Sequence, residues 1–325
     1  MRLLKLATSI FFISMMFLSF NLRGQELRIT PIEKTDAIYY FDNTKYIPFC
    51  DSVLTDTRLK MIRLLQDTLS YKPSVYLLNN LDEFNKLVQG KFSDWGVGVA
   101  IPLKKMIVMK SPDSFNLNKP LGQLVAHEYA HLAVSDKVFM KIPPRWFNEG
   151  VAMYVSSEWG WSNNIAMGKA AVFGQFIDLQ DIENVNRFHE GKAQVAYAES
   201  YMAISFLLKY YGQNSLKIFL EQINSKNSID EAIYVTTGST MDEFQDDFNR
   251  YLHKQFNIAS LFMDTIFLWI ALAGVVVYAF FLQFKKRREY YKKWEDEEKL
   301  QSTDFDYGDP NNPEQIDDDD EAWRQ

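Results

Sequence analysis

Five consecutive residues have the types and spacing of a metal-dependent hydrolase site. His127 and His131 are four residues apart, and Glu128 directly follows the first, which gives the pattern H-E-x-x-H. On a helix, positions i and i+4 lie on one face about one turn apart, so both imidazoles can bind one zinc ion. Glu128 is placed beside them to take a proton from a metal-bound water.

The flanks of this motif argue against a simpler interpretation, a surface helix that carries two histidines. The neighbouring residues are apolar: Leu124, Val125, Ala126, Leu132 and Ala133. A helix with such flanks must be largely buried. Two buried histidines and a glutamate need polar partners, and a metal ion would supply one.

Glu149 is the candidate third ligand. Catalytic zinc usually takes three protein ligands and leaves one position for water. Glu149 lies 18 residues after His131 in the segment WFNEGVAMY, far enough for the chain to turn and bring a second helix against the first. An acidic residue among Trp146, Phe147 and Val151 is poorly explained as part of a solvated face.

The segments that must position these residues read as an α/β region followed by helices. Apolar runs predict strands over 74–78, 96–101 and 106–109, the last two joined by a turn at 102–104. Apolar spacing and helix-end residues predict helices over 57–69, 82–88, 120–134, 143–156, 190–211, 214–223 and 241–256. The region therefore divides near residue 135 into an α/β lobe with a small sheet and a helical lobe.

Both ends of the chain carry apolar stretches. Residues 1–25 have the pattern of a secretory signal, with a short basic start, an apolar run and Gly24 near the end. The alternative is an uncleaved anchor, for which about 15 apolar residues are short. Residues 265–284 contain no charge, and 20 such residues are enough for a transmembrane helix.

Charge sets the expected topology. Residues 285–293 hold six basic side chains, and a basic cluster beside a span marks the cytoplasmic side. Residues 26–264 should then be extracytoplasmic, which means periplasmic in a Gram-negative cell, on a single-pass membrane protein. The tail, 285–325, turns acidic after its basic start and is predicted to be disordered and cytoplasmic. It is either a docking segment for a cytoplasmic partner or a solvated tail.

Composition excludes other classes of protein. The 42 acidic residues outnumber the 35 basic ones, which argues against a nucleic-acid-binding protein. The single cysteine, Cys50, excludes an intrachain disulfide framework. His189 and His253 have no partner pattern and are interpreted as ordinary surface or core histidines, and Cys50 as structural.

With these residues in view, the chain resembles the gluzincin metallopeptidases. H-E-x-x-H followed by W-[LF]-N-E-G-x-A-x-Y is similar to the peptidase MA-like domains and, in this segment, to the aminopeptidase N class. The resemblance implies a thermolysin-like α+β catalytic domain over 26–257, with one zinc ion in its cleft. It implies that His127, His131 and Glu149 bind this zinc and that Glu128 is the general base.

A second segment extends the resemblance. Residues 197–212 (YAESYMAISFLLKYYG) resemble a later helix of the family, where a tyrosine at the start donates a hydrogen bond to the oxyanion of the tetrahedral intermediate. Tyr197 is the corresponding residue. The alternative is that Tyr197, Tyr201, Ile204 and Leu208 form a buried stripe at helical spacing.

One departure concerns the type of peptidase. Aminopeptidases of this superfamily carry G-x-M-E-N on a strand before the zinc helix, and its glutamate holds the substrate's free amine. The corresponding strand here, 96–102, has no acidic residue. The sequence therefore predicts a membrane-anchored zinc metallopeptidase that acts on peptides or proteins and is not an aminopeptidase. Two alternatives remain: an inactive gluzincin-like envelope protein that binds peptides, and a membrane scaffold that works through its tail.

Overall fold

Five short strands form one mixed sheet in the first third of the chain. The computed structural model describes residues 29–66, 69–89, 96–138, 141–225, 228–257 and 266–300. The strands are β1 (Ile32–Glu33), β2 (Ile38–Phe41), β3 (Ser74–Leu78), β4 (Gly98–Ile101) and β5 (Met106–Lys110). Their order across the sheet is β1-β2-β3-β5-β4, so β4 forms one edge. β2, β3 and β5 are parallel, whereas β1 and β4 run antiparallel to their neighbours.

Both faces of the sheet are covered, which explains why its inner strands are apolar along their length. Alternate residues, such as Val75 and Ile107, belong to the main core shared with the long helices. The residues between them, such as Met106 and Val108, pack on Phe84 at the opposite face. This period of two is what a strand buried on both sides requires.

Helices make up most of the remaining described chain. They are α1 (Ile47–Leu65), α2 (Leu81–Val88), α3 (Leu121–Lys137), α4 (Arg145–Ser156), α5 (Trp161–Phe173), α6 (Glu190–Tyr210), α7 (Ser215–Ser225), α8 (Ile229–Thr237) and α9 (Met241–Gln255). Short 3₁₀ stretches lie at Thr44–Tyr46, Pro102–Lys104 and Asp181–Arg187. The architecture is α+β, mostly helical, with a small mixed sheet.

Helix α3 connects the sheet to the helical part. It packs against β4 and β5 of the sheet and against the helices α1 and α4. Helix α4 in turn packs against α6. The three segments that carry the predicted site residues are therefore neighbours, in the order α3, α4, α6.

The C-terminal described residues form a separate unit, the single helix α10 (Ile266–Leu300). Its residues 266–299 make it the one helix in the described part of the chain that is long and apolar enough to cross a membrane. The helix continues through the basic cluster, so residues 285–300, expected to belong to a disordered tail, are helical. They contain good helix formers and no glycine or proline, which explains the continuation. The predicted signal, 1–25, and the tail beyond residue 300 lie outside the described residues.

Candidate active site

The two motif histidines and Glu149 converge on one point between α3 and α4. Glu149 Oε2 lies 3.6 Å from His127 Nε2 and 3.7 Å from His131 Nε2. One ligand atom from each of the three residues lies within 4.8 Å of the other two. The three residues that the sequence proposed as zinc ligands are thus brought together from two helices.

Local structure explains this convergence. His127 and His131 occupy one face of α3, where their ring centroids are 4.7 Å apart and their planes are 85° to each other. Helix α4 begins at Arg145, directly after two prolines, a residue type suited to a helix start. Glu149 is one turn into α4, on the side that faces α3.

The donor set fits a zinc ion. Two imidazole nitrogens and one carboxylate oxygen are a common set of ligands in catalytic zinc sites, which keep a fourth position open for water. Tetrahedral ligands at the usual bond lengths of zinc are about 3.3 Å apart. The two distances from Glu149 Oε2, 3.6 and 3.7 Å, are close to that value. His127, His131 and Glu149 are therefore a candidate metal site.

A carboxylate that the sequence analysis missed contacts the other ring nitrogen of His127. Glu158 Oε1 lies 2.7 Å from His127 Nδ1 and 2.7 Å from Ser156 Oγ. Glu158 Oε2 accepts a hydrogen bond of 2.9 Å from Lys119 Nζ. Glu158 follows the end of α4 by two residues, outside the WFNEGVAMY segment. In the sequence, Glu158 stands out only as an acidic residue beside Trp159, just after a predicted helix. Its contact with His127 depends on the turn that follows α4.

The second oxygen of Glu149 faces Arg145, one turn earlier on α4. Arg145 Nε lies 3.6 Å from Glu149 Oε1. The same guanidinium donates through Nη2 to Asn186 Oδ1 at 3.0 Å, and the Arg145 backbone N–H donates to Glu183 Oε1 at 2.6 Å. Asn186 and Glu183 belong to the 3₁₀ stretch Asp181–Arg187, which the sequence did not predict. This stretch therefore fixes the position of Arg145 beside the candidate ligand.

Burial and charge act against each other in this cluster. Burial lowers the pKa of His127, but its contacts with Glu149 and Glu158 outweigh burial and raise that pKa above its usual value. Burial raises the pKa of Glu149, but the neighbouring His127, His131 and Arg145 outweigh it and hold that pKa low. Burial likewise raises the pKa of Glu158, but the neighbouring His127 and Lys119 outweigh burial and hold that pKa below its usual value. Both carboxylates are therefore anionic near neutral pH, as a cation site requires.

Glu128 is buried beside the edge strand of the sheet. A methyl group added at Gly98 of β4 would stand 3.2 Å from Glu128 Oε1 and 2.7 Å from Leu124 Cδ1. The carboxylate thus reaches β4 at a position with no side chain. Strand β4, the counterpart of the predicted strand over 96–101, carries no acidic residue. The candidate general base lies between the motif helix and an edge strand.

Tyr197 lies on α6 next to Arg145 and Glu149. Burial raises the pKa of Tyr197, the Glu149 carboxylate raises it further, and a hydrogen bond with Arg145 lowers it. Its side chain is partly buried against the main core. Tyr201, one turn later, packs on Trp159 with ring centroids 4.7 Å apart. Of the two tyrosines, Tyr197, the one proposed as an oxyanion donor, is thus the one beside Glu149, the candidate metal ligand.

The remaining histidines and the cysteine lie in other surroundings. His189 caps α6 and accepts a hydrogen bond of 3.3 Å from the Lys192 backbone N–H. His253 packs edge-on against Phe176 with centroids 4.9 Å apart. Cys50 is buried in the core, and burial raises the pKa of its thiol to about 12. The thiol is therefore protonated and poorly nucleophilic at neutral pH.

The fold and this cluster define a peptidase-like domain: a small mixed sheet, a buried H-E-x-x-H helix on it, and a glutamate from the next helix facing both histidines. The chain belongs to the peptidase MA superfamily, whose family model matches residues 56–254. The matched region begins within α1 and ends within α9, and it contains every candidate site residue. No curated protein matches the chain with significant similarity.

Proposed function

We propose that this protein is a membrane-anchored zinc metallopeptidase that cleaves peptide bonds within a chain. The observation that carries the proposal is the convergence of His127, His131 and Glu149, with Glu128 buried next to them. Membership of the peptidase MA superfamily supports it, because that superfamily is typically zinc-dependent. The zinc would be held by the two histidines and Glu149, one ion per chain.

The proposed reaction uses Glu128 as the base and then as the acid, and Tyr197 as a hydrogen-bond donor. A zinc ion held by His127, His131 and Glu149 would supply Lewis acidity, which would acidify a water molecule and polarise the peptide carbonyl. Glu128 takes the proton from that water as its oxygen bonds to the carbonyl carbon. Tyr197 donates a hydrogen bond to the oxyanion that develops on the carbonyl oxygen. When the C–N bond breaks, Glu128 gives the proton to the leaving amine.

The edge strand supports an extended peptide as the substrate. An unpaired strand edge can bind an extended chain through backbone hydrogen bonds. Strand β4 pairs with β5 on one side only, and Glu128 reaches it at Gly98. A peptide lying along β4 would bring its carbonyl carbons past Glu128. The absence of an acidic side chain on β4 removes the group that would bind a free N-terminal amine, which favours endopeptidase action over aminopeptidase action.

Helix α10 supports anchoring by one transmembrane segment. Its residues 266–284 are apolar, and 19 helical residues extend about 28 Å, close to the thickness of the hydrocarbon core. The basic residues that follow favour a cytoplasmic C-terminus by the positive-inside rule. The peptidase unit would then be extracytoplasmic, and its substrates would be peptides or proteins of the cell envelope.

Metal content and turnover of the full-length protein in detergent test this proposal. The variants are Glu149→Ala, Glu128→Gln and, as a matched control, Glu190→Gln at the exposed start of α6. Zinc per chain is measured by elemental analysis, and hydrolysis is measured on a mixture of internally quenched peptides. We expect one zinc per chain in the wild type, Glu128→Gln and Glu190→Gln, and a loss of zinc in Glu149→Ala. Only the wild type and Glu190→Gln should cleave the peptides.

Three results would contradict the proposal in different ways. A folded wild-type protein that binds no zinc under zinc-replete conditions would refute the zinc peptidase as a whole. Zinc binding with undiminished hydrolysis in Glu128→Gln would refute the assignment of Glu128 as the base. Zinc binding without hydrolysis by the wild type across the peptide mixture would favour the inactive, peptide-binding alternative.

A further inference from the structure

The two candidate histidine ligands differ in the surroundings of their Nδ1 atoms. His127 Nδ1 lies 2.7 Å from Glu158 Oε1. His131 Nδ1 is buried and has no hydrogen-bond partner among the residues that the structure describes. The pair is therefore asymmetric. The His127 imidazole contacts a carboxylate through Nδ1, whereas the His131 imidazole is held by packing.

Both oxygens of the Glu158 carboxylate have polar partners, so the carboxylate is held in one position. Its Oε1 contacts His127 Nδ1 and Ser156 Oγ, each at 2.7 Å, and its Oε2 accepts from Lys119 Nζ at 2.9 Å. The Glu158 side chain is only 11% exposed, and Lys119 is 25% exposed. A charged hydrogen-bond network with this little solvent keeps its geometry better than an exposed ion pair does.

The turn after α4 places Glu158 beside His127. Ser157 has a left-handed backbone, with φ of 58°. The Glu158 N–H donates to Met153 O at 3.0 Å and the Ser157 N–H donates to Tyr154 O at 3.4 Å, which is the Schellman pattern of a helix C-terminus. A left-handed residue is usually glycine at this position, so a serine there is held by tertiary contacts.

Two side chains from other helices supply those contacts. Gln123 Nε2 of α3 donates to Ser157 O at 3.2 Å. Lys60 Nζ of α1 donates to Val155 O at 2.9 Å. The segment that ends in Glu158 is thus tied to the helix that carries His127 and to α1, independently of the His127 contact.

The contact between Glu158 and His127 Nδ1 matches what a histidine needs in order to bind a metal through Nε2. A neutral imidazole that binds a metal through Nε2 must carry its proton on Nδ1. A carboxylate that accepts this proton in a hydrogen bond selects that tautomer, fixes the ring plane and makes Nε2 a stronger ligand. His127 Nε2 already faces Glu149 Oε2, at 3.6 Å, in the candidate metal site.

We propose that Glu158, held by Lys119, is a positioning residue that pre-orients His127 as a metal ligand. This inference rests on the proposed zinc site and adds to it a carboxylate from outside the WFNEGVAMY segment. Glu158 does not touch the metal or the substrate and acts only through His127. Lys119 acts one step further out, by holding the carboxylate in place through its hydrogen bond to Oε2.

Zinc affinity of the full-length protein in detergent tests this role, by competition with a chromophoric chelator. The variants are Glu158→Gln, Glu158→Ala and Lys119→Met, with Glu190→Gln as a matched control because Glu190 is exposed at the start of α6. We expect Glu158→Ala to weaken zinc affinity about 10–100-fold. Glu158→Gln and Lys119→Met should weaken it less, because each leaves part of the network in place, and Glu190→Gln should leave it within about twofold.

A second readout separates positioning from a general loss of structure. In the zinc-bound wild type and in zinc-bound Glu158→Gln, two-dimensional ¹H–¹⁵N spectra of the histidine ring nitrogens report the Nδ1–H of His127. A smaller downfield shift of this proton in Glu158→Gln, with an unchanged far-ultraviolet circular dichroism spectrum, is the expected result, because a hydrogen bond to a neutral amide is weaker than one to a carboxylate. This spectrum also keeps the test decisive if Glu158→Ala fails to fold.

The possible failures can be told apart. If the folded wild type binds no zinc, the proposed function falls and this inference falls with it. If the wild type binds zinc and folded Glu158→Gln and Glu158→Ala bind it with equal affinity, only the positioning role of Glu158 is refuted. If Glu190→Gln weakens zinc binding as much as Glu158→Ala does, the effect is not specific to Glu158 and the inference is likewise refuted.

Discussion

Gly150 of α4 lies against the backbone of Ser200 in α6. A methyl group at Gly150 would stand 2.2 Å from the Ser200 carbonyl oxygen and 2.7 Å from Ile204 Cγ1. Non-bonded carbon and oxygen atoms do not approach this closely, so the crossing of α4 and α6 requires a residue without a side chain at position 150. Glu149 directly precedes Gly150, and Tyr197 is three residues before Ser200. The close approach therefore brings the candidate ligand and the candidate oxyanion donor together.

Gly150→Ala should destabilise the protein and loosen the site. The contact at 2.2 Å is with backbone, which cannot rotate away, so the two helices must separate. We expect a loss of at least about 1–3 kcal/mol in the free energy of unfolding, the usual range for overpacking, and weaker zinc binding. Denaturant melts with and without zinc measure both effects.

Gly191→Ala is the matched control for this prediction. A methyl group at Gly191, in the first turn of α6, would make only ordinary contacts of 3.6 Å with the His189 ring. Alanine is favoured over glycine in a helix by about 1 kcal/mol, so this variant should be as stable as the wild type or more so. A Gly150→Ala protein as stable as Gly191→Ala would contradict the close packing of α4 on α6.

Much of the fold follows from local patterns in the sequence. The predicted strand over 74–78 has the observed bounds of β3, and the strands predicted over 96–101 and 106–109 match β4 and β5 within two residues. The helices that carry His127, Glu149 and Tyr197 begin and end within three residues of their predicted bounds. These elements have long apolar patterns or clear end signals, such as the prolines before α4. The grouping of the candidate ligands followed from residue type and spacing.

The missed features are those that tertiary contacts create. Strands β1 and β2 are only two and four residues long. β1 pairs with β2, and β2 pairs with β3, so these strands are defined by their partners and not by a long local pattern. Helix α1 begins at Ile47, ten residues before the predicted start, because Pro48 fits its first turn. Helices α5 and α8 were also missed. Glu158 depends on a left-handed serine that only its contacts explain, and Arg145 on a 3₁₀ stretch 38 residues away in sequence.

Tyr197→Phe should reduce the rate of peptide cleavage without releasing the metal. Removing one hydrogen-bond donor to an oxyanion usually lowers kcat about 10²–10³-fold. Tyr197 lies beside Glu149 but is not among the three candidate ligands, so zinc affinity should stay within a few fold. The measurement is kcat and zinc affinity for this variant and for Tyr201→Phe, whose ring packs on Trp159. Equal kcat values for the two variants would contradict the proposed role of Tyr197.

Removal of the metal should lower the thermal stability of the protein. A ligand that binds only the folded state stabilises it by about 4 kcal/mol when its concentration is 1,000 times Kd. Zinc should therefore raise the melting temperature of the wild type, and a chelator should reverse the change. Glu149→Ala should show no such response, because one of the three convergent ligands is missing. A zinc-dependent shift of equal size in Glu149→Ala would place the metal elsewhere.

Because Glu199 is buried, we expect the stability of the protein to depend on pH, independently of the candidate metal site. Its side chain is fully buried on α6, and both carboxylate oxygens lie 3.1 Å from the Ile177 backbone nitrogen. Burial raises the pKa of Glu199 well above its usual value, and nearby Asp178 adds to this, while the Ile177 N–H and Lys192 lower it. The folded protein therefore keeps a proton that the unfolded chain releases.

The sign of the effect follows from this proton. Because the folded pKa is the higher one, the stabilisation linked to protonated Glu199 is complete below the unfolded pKa, about 4.3, and is lost as pH rises through the folded pKa. Glu199→Gln cannot ionise, and its amide oxygen can still accept from the Ile177 N–H. The variant should therefore gain stability relative to the wild type as pH rises from about 4.5 to 8. Denaturant midpoints of both proteins across this range give the difference, with exposed Glu190→Gln as the control. A difference that does not change with pH would show that Glu199 has the same pKa in the folded and unfolded states.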